Sequence, residues 1–465
     1  MIKPNIHKCR QTLENQKSVP LFIRFKEDYL TPIAIFEKVK SLNPKFLLES
    51  AGEHQDGGRY SYIGLNTKGK SYDNLKDIES EMDTQVHYHE LPPFYNGYLG
   101  YVGFSHANYQ HKICTTENDK PIMMMQAKTI IIVDHFINEI TLVHNINSMD
   151  EYNAGVNNLN KILDLIKYQP LHYEPIQVDK SLLIKSNMTK NQYEAMVTKA
   201  KDLIVEGDIF QVVLSQQFTA DFEENPFDLY KLVRRENPSP YLSYIEFDGI
   251  TTICSSPELL VKCKDNYVST APIAGTRPVK RDNKDHLRAK ELLNDEKELA
   301  EHLMLVDLGR NDVGKVSKAG SVNVEAFCQV KKYAKVMHLV SSVKGALKDD
   351  YTSIDAFNAA FPAGTVSGAP KKRALEIIHD LEPTPRGLYA GSIFYLNHDS
   401  TLNSCIAIRT ITIKDKKLSI QSGAGIVYDS VPENEYKETI HKAQALFDAL
   451  SHLYKGGLTY DFNHR

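Results

Sequence analysis

Apolar residues recur at helical spacing in some stretches of this chain and in dense or alternating runs in others. After Thr189, the positions Tyr193, Met196, Val197, Ala200, Leu203 and Ile204 share one face of a 3.6-residue period, and Gly207 follows. Thr189 or Asn191 as N-cap and Gly207 as terminator predict a helix here. The same spacing predicts two longer helices, over 285–308 and 432–454. Leu299, Leu303 and Leu308 mark the apolar side of the first, and Tyr436, Ile440, Ala443, Phe447 and Leu450 that of the second. The runs "AKTIIIVDHF", "EITLVHNI" and "IFQVVLSQQFT" read as strands, and "LNSCIAIRTITIKDKKLSIQSGAGIV" reads as a hairpin of two long strands about Lys414–Lys417.

Many paired strands with segregated helices predict an α+β fold with antiparallel sheets, not a doubly wound parallel one. The polar stretch that holds Pro170 and Pro175 marks the best boundary. It divides the chain into an N-terminal part, 1–180, and a second part, 181–455, with 456–465 as a loose tail.

Composition narrows the function. The chain has 465 residues, 25% of them charged, and a net charge of −4, so there is no basic footprint for nucleic acid. No apolar run approaches the ~18 residues of a membrane span, and the N-terminus lacks the apolar core of a signal peptide. The six cysteines, Cys9, Cys114, Cys254, Cys263, Cys328 and Cys405, include no C-x-x-C pair. Scattered thiols and no export signal predict a cytoplasmic protein without a zinc or redox motif.

Two acidic pairs carry candidate chemistry. Glu298 and Glu301 stand three apart on the first long helix, and Glu435 and Glu438 stand three apart on the second. Each pair shares a helix face and borders an apolar stripe. Either pair alone can be a solvated surface. If the two helices face each other, four carboxylates converge and require a cation, and all-oxygen ligation selects Mg²⁺ or Ca²⁺. Mg²⁺ takes one or two carboxylates and completes its shell with water and substrate oxygens, which predicts an anionic substrate.

Small-residue loops supply places for an anion. "AFPAGTVSGAPKKRALEII" runs into a helix near Pro370, without the spacing of a phosphate loop. Gly423 and Gly425 end a strand, where glycine allows close backbone approach or marks a bulge. Gly275 and Thr276 sit in a third such loop. Arg409 lies in an apolar run and is either a carboxylate clamp or a structural partner. His338 lies in a strand-like run and is either a core histidine or a proton carrier. Together these residues predict a Mg²⁺ enzyme acting on a small carboxylate or phosphate.

The motifs "GDIFQVVLSQ", "SSPELL", "PIAGT", "KELAEHLMLVDLGRND", "VMHLVSSV", "FPAGTVSGAPK", "GLYAGSI", "IAIRT", "QSGAGIV" and "ENEYKET" occur in one order. In that order they resemble the chorismate-using enzymes, most of all the anthranilate synthase large subunits. The resemblance is dense over about 185–455 and thinner before it, through "FLLES" and "GRYSYIG". It implies two intertwined domains with packed antiparallel β-sheets flanked by helices. It implies Mg²⁺ on Glu301 and Glu438, with Glu298 and Glu435 as a second tier. Tyr389, Arg409 and the backbone of Gly423, Ala424 and Gly425 are implied binders of an enolpyruvyl carboxylate, Gly275 and Thr276 of the ring end, and Thr365 of the substrate. Glu258 is the implied general acid and His338 the implied acceptor of a ring proton.

Two positions separate the family's branches. Gln211 stands where isochorismate and salicylate makers carry a lysine base, and a neutral amide suits ammonia as nucleophile. Ala274 stands where aminodeoxychorismate makers carry a nucleophilic lysine, which argues against that folate-branch reading, aminodeoxychorismate synthase component I. A non-catalytic tryptophan-sensing subunit is the other alternative, disfavoured by the intact acidic pairs, Glu258 and His338.

The chain has no glutaminase signature, so the resemblance implies a separate glutamine amidotransferase subunit, in a heterotetramer of two large and two small subunits. Ser50, with Pro240, Tyr241 and Leu242 of "NPSPYL", resembles the two halves of an L-tryptophan feedback site in a regulatory N-terminal domain. Two positions depart from the family pattern: Val102 replaces an acid in "GYLGYVG", and Leu242 replaces the commoner methionine.

Overall fold

The computed structural model describes residues 2–51, 58–82, 88, 90–113, 122–171, 176–280, 282–332 and 336–462. Cys114 and Pro175 lie outside the described residues. Among those described, the strands form two sheets of thirteen and ten strands, antiparallel but for one pair.

Both sheets draw on both sides of residue 180. In the larger, Phe46–Glu49 pairs with Tyr241–Phe247, setting Glu49 opposite Leu242. In the smaller, Gly97–Val102 pairs with Ser392–Asn397. The inner faces of the two sheets share one core, in which Phe46, Ile130 and Ile245 of the larger meet Leu99, Met125 and Ile393 of the smaller. Helices cover the outer faces. Leu159, Ile162, Tyr230, Leu446 and Phe447 bury the outer side of the large sheet. The fold is therefore α+β, with intertwined antiparallel sheets flanked by helices, as predicted. Val102 is fully buried in the core, where an acid would be costly.

The helix after Thr189 forms over Lys190–Val205, closed at its start by a reciprocal capping box between Thr189 and Gln192. Pro432–Leu453 also forms close to its predicted span.

Three expectations need correction. First, the predicted helix 285–308 is two helices, Asp285–Leu293 and Glu296–Val316. Asp295 starts the second by accepting from the backbone N–H of Lys297 and Glu298, an N-cap signal hidden inside a continuous charged run. The buried face of this helix runs through His302, Leu305, Val306, Val313 and Val316, while Leu303 is 48% exposed. Second, the tail is not loose: Leu458–Asp461 pairs in parallel with Leu182–Ser186. Leu458 and Phe462 are held against the core, and Phe462 packs on Phe218. Third, the first arm of the predicted hairpin breaks into Leu402–Ile406, in the small sheet, and Thr410–Lys414, in the large one. Arg409 sits at the break with a left-handed φ of 52°. Such a conformation costs a non-glycine residue ~1 kcal/mol, and no glycine advertises it in the sequence.

Candidate active site

The chain crosses between sheets twice at one place. It leaves the large sheet after Ile250–Ser256 and enters the small one at Leu259–Lys264, and Glu258 lies in the crossing. It returns between Leu402–Ile406 and Thr410–Lys414, and Arg409 lies in that crossing. The crossings are stitched together, since Ile406 N donates to Glu258 O at 3.0 Å and Ser255 N donates to Arg409 O at 3.1 Å. At a crossing, side chains leave the alternation of a sheet and can aim into the gap between layers.

That gap is a cavity of about 650 Å³. Its walls gather Glu258, Gly275, Thr276, Glu298, Glu301, His338, Thr365, Tyr389, Arg409, Gly423 and Glu438, all predicted site residues. Gln211, Ala424, Gly425 and Glu435 are not in its lining. Gln211 is buried behind the wall, where its amide would meet a Cβ on Gly425 at 2.7 Å. Of the loop before Lys371–Leu381, Thr365 and Val366 reach the cavity. Lys371 at the helix start is engaged elsewhere, by Asp312 Oδ2 at 2.7 Å.

Burial sets the protonation states. Desolvation pushes the Glu258 carboxyl up to about 7, opposed by the Thr365 hydroxyl and the Lys442 charge. Burial pushes the His338 imidazole down and keeps it neutral at pH 7. His338 Nδ1 lies 2.8 Å from the carbonyl of Gly275, which can only accept. Nδ1 therefore carries the proton, leaving Nε2 as the basic nitrogen. Arg409 is buried, desolvation lowers its pKa, and only the Tyr389 hydroxyl opposes that. Among the described residues no carboxylate pairs with it. A buried guanidinium without a counter-charge is a site for an anion.

The two acidic helices do face each other, but the four carboxylates do not form one cluster. Among the described residues no group of three or more His, Cys, Asp or Glu side chains is arranged to hold a metal. The reason is two internal cations. Arg277 binds Glu298 at 3.1 Å and Asp295 at 2.7 Å, and Lys442 binds Glu438 at 2.7 Å. Burial raises the Glu301 carboxyl first, then the nearby charges of Glu298 and Glu438. Glu301 and Glu438 thus line one cavity and repel one another. Two oxygen donors with excess negative charge are what Mg²⁺ requires of a protein, so the donor set fits. Lys442, which also donates to Gly423 O at 3.0 Å, was missed in the sequence. Its i, i+4 spacing from Glu438 was the available signal.

A second pocket of about 250 Å³ opens between the sheets. Ser50, Pro240, Tyr241 and Leu242 all line it, with Glu49, Arg59, Ser243, Tyr395 and Asn403. Two of its charged groups are paired, Glu49 with Arg234 at 2.9 Å and Arg59 with Asp134 at 2.8 Å, and Lys262 and Lys264 also line it. Its buried Ser50 Oγ, Ser243 Oγ and Asn403 Oδ1 have no hydrogen-bond partner.

A cavity ringed by an unpaired cation, acidic helices and a neutral carboxyl, set between intertwined sheets, defines a class of small-anion enzyme. The chain belongs to the family of chorismate binding enzymes, whose pattern matches residues 43–448. Within it, the chain is 39% identical to anthranilate synthase component 1 of Aquifex aeolicus, over 96% of this chain and 97% of that one. It is 40% identical to the Lactococcus lactis anthranilate synthase component 1, over 90% of this chain and 97% of that one. The crystal structure of anthranilate synthase component I from Streptococcus pneumoniae superposes with a TM-score of 0.78 at 36% identity, covering 90% of this chain and 98% of that one. No helix among the described residues is long and apolar enough to cross a membrane.

Proposed function

We propose that this chain converts chorismate and ammonia to anthranilate, pyruvate and water, the reaction that begins tryptophan synthesis. One observation carries the reading. A single cavity holds a carboxyl with a pKa of about 7, a neutral imidazole and a guanidinium without a counter-charge.

Arg409, Tyr389 and the Gly423 backbone hold the enolpyruvyl carboxylate, and Gly275 and Thr276 flank the ring, with Thr365 beside Glu258. Ammonia adds at ring carbon 2 while Glu258, protonated at neutral pH, donates its proton to the departing hydroxyl as general acid. His338 Nε2 then takes the carbon 2 proton, pyruvate leaves, and the ring becomes aromatic. Ala274 offers no nucleophile, so no covalent enzyme adduct forms at that loop. Gln211, behind Gly425, has no base chemistry and keeps the glycine backbone in place.

Mg²⁺ would be held by Glu301 and Glu438, where, when bound, it polarises a ring carboxylate as a Lewis acid. Glu298 and Glu435 form the outer tier, Glu298 through Arg277. The component numbering of the relatives implies a second component, and it would be the glutamine amidotransferase subunit that supplies ammonia, in a heterotetramer of two large and two small chains. The second pocket takes L-tryptophan: its unpartnered hydroxyl and amide oxygens suit an amino acid's ammonium group and indole N–H. Residues 1–180 supply Ser50 and so act as the regulatory part, with 181–455 as the catalytic part.

The test is a fluorescence assay for anthranilate with purified chain, chorismate, Mg²⁺ and ammonium at mildly alkaline pH. Metal-dependent fluorescence that tryptophan suppresses supports the reaction, the metal and the feedback by tryptophan. Chorismate consumed with pyruvate still on the ring would overturn it in favour of an aminodeoxychorismate former.

A further inference from the structure

We infer that Arg386 is a positioning residue for the reaction cavity, fixing the spacing of its walls through a buried pair with Glu382. The inference rests on the chorismate reaction proposed above, and it concerns residues outside the cavity lining. The two side chains are 2% and 4% exposed. Arg386 Nη2 and Nε donate to Glu382 at 2.6 and 2.8 Å. The remaining donors go to backbone. Nη1 donates to Val366 O at 2.7 Å, and Nη2 also donates to Val213 O at 2.7 Å. Glu382 Oε1 in turn accepts from Ser215 N at 2.7 Å and Ser215 Oγ at 2.8 Å. Ser215 Oγ accepts from Gln421 Nε2 at 2.9 Å. The guanidinium lies over the Tyr389 ring at 5.5 Å and the Phe104 ring at 4.5 Å.

Val213, Val366, Gln421 and Tyr389 all line the cavity. They come from two strands, the loop that carries Thr365, and the segment before Ser392–Asn397. One ion pair therefore bonds or stacks on three pieces of wall that do not otherwise adjoin in sequence, and reaches a fourth, Gln421, through Ser215. Stability alone does not explain it. A buried ion pair is often no better for stability than apolar residues of similar volume. Apolar side chains cannot hold two carbonyls, an amide and a hydroxyl at fixed separations. The ion pair can: the guanidinium fork donates to the two carbonyls, Glu382 accepts from the amide and the hydroxyl, and an ammonium cannot reproduce the fork's geometry.

The experiment compares the full chain with its Arg386→Lys and Ser215→Ala variants, using ammonium as amine donor. Chorismate KM and kcat, chorismate affinity by calorimetry, tryptophan affinity and thermal midpoint are all read. Arg386→Lys is expected to raise the chorismate KM roughly tenfold and leave tryptophan affinity within about twofold, because the second pocket does not touch this network. Ser215→Ala keeps the ion pair and removes only the hydroxyl's bonds to Glu382 and Gln421, so the expected rise is roughly threefold at a tryptophan affinity within about twofold of the parent. A parental KM in Arg386→Lys would overturn the inference. So would a matched loss of chorismate and tryptophan affinity, which marks a scaffold residue. Should Arg386→Lys not fold, Ser215→Ala decides by the same criterion. If the parent binds chorismate but forms no anthranilate, the reaction reading fails, and the calorimetric affinities still decide the role of Arg386.

Discussion

The reaction cavity and the second pocket lie between the same two sheets and differ in the charge placed at their walls. In the cavity, charge is left over: Arg409 has no carboxylate, and Glu301 feels Glu298 and Glu438. In the second pocket Glu49 and Arg59 are paired, and neutral oxygens are left over on Ser50, Ser243 and Asn403. Unmatched charge in a low-dielectric site acts strongly on a substrate as its charge distribution changes, which is what catalysis needs. Unmatched neutral groups select a ligand by hydrogen bonds and do little else. On the proposed reading, the contrast separates a site that performs chemistry from a site that only binds.

The largest expected effect tests the separation directly. Chelation with EDTA should abolish anthranilate formation, and added Mg²⁺ should restore it. Tryptophan binding to the chelated chain should be unchanged. That binding is easily read, because the chain contains no tryptophan and the ligand's own indole fluorescence has no protein background. Loss of tryptophan binding on chelation would mean that the two sites share the metal, and the division would fail.

Next is Glu258→Gln. Loss of a general acid should lower kcat roughly 10²- to 10⁴-fold with little change in chorismate KM. The parent's kcat, at fixed free ammonia, should fall as pH rises through about 7, where Glu258 loses its proton. The stability effect runs in the same direction with pH. Between the unfolded value of 4.5 and about 7, the folded chain holds a proton that the unfolded chain has lost. Folding therefore weakens as pH rises across that window, by on the order of 3 kcal/mol in full. Glu258→Gln should remove that dependence and be more thermostable than the parent at pH 8. A variant that is both inactive and less stable there would show that the carboxyl is not protonated in the cavity.

Arg409→Met should come third. A charge-assisted, two-pronged contact to a carboxylate contributes about 1.5–3 kcal/mol, so kcat/KM should drop roughly 10- to 100-fold, carried mainly by KM. Equal loss in Arg409→Lys and Arg409→Met would point to the fork geometry, whereas recovery in Arg409→Lys would point to charge alone.

These residues also show how much the chain discloses. Glu298, Glu301 and Glu438, with Gly275, His338 and the Ser50 and Pro240 halves of the second pocket, were legible as cavity residues, because motif order and spacing survive in one dimension. The helix after Thr189 was legible because capping and periodicity agree. What stayed hidden depended on which sheet a strand joins. "CIAIRTITI" reads as one strand by its apolar density, yet it divides between two sheets at Arg409, with no glycine or proline to mark the turn. The break before Glu296 was hidden by a capping aspartate that resembles its charged neighbours. Arg277 and Lys442, which draw Glu298 and Glu438 into separate ion pairs, could not be placed beside them without the fold. Arg386 was invisible for the same reason, since its partners Val213 and Val366 are 173 and 20 residues away.

The smallest expected effect falls on the binding-only site. Ser50→Ala removes one neutral hydroxyl that has no partner within the chain. A hydrogen bond of that kind contributes about 0.5–1.5 kcal/mol, so tryptophan should bind and inhibit roughly 2- to 12-fold more weakly. Because the hydroxyl is unsatisfied without ligand, its loss costs the free chain nothing, and the thermal midpoint should hold or rise slightly. Chorismate kcat and KM without tryptophan should match the parent, since Ser50 is not in the lining of the reaction cavity. The discriminating measurement is the pair of titrations, tryptophan against binding and against activity. If Ser50→Ala weakens both in parallel, the ligand acts from this pocket. If it weakens binding and leaves inhibition at its parental midpoint, tryptophan inhibits from the reaction cavity itself, and the unmatched charge there, not the unmatched oxygens here, is what it recognises.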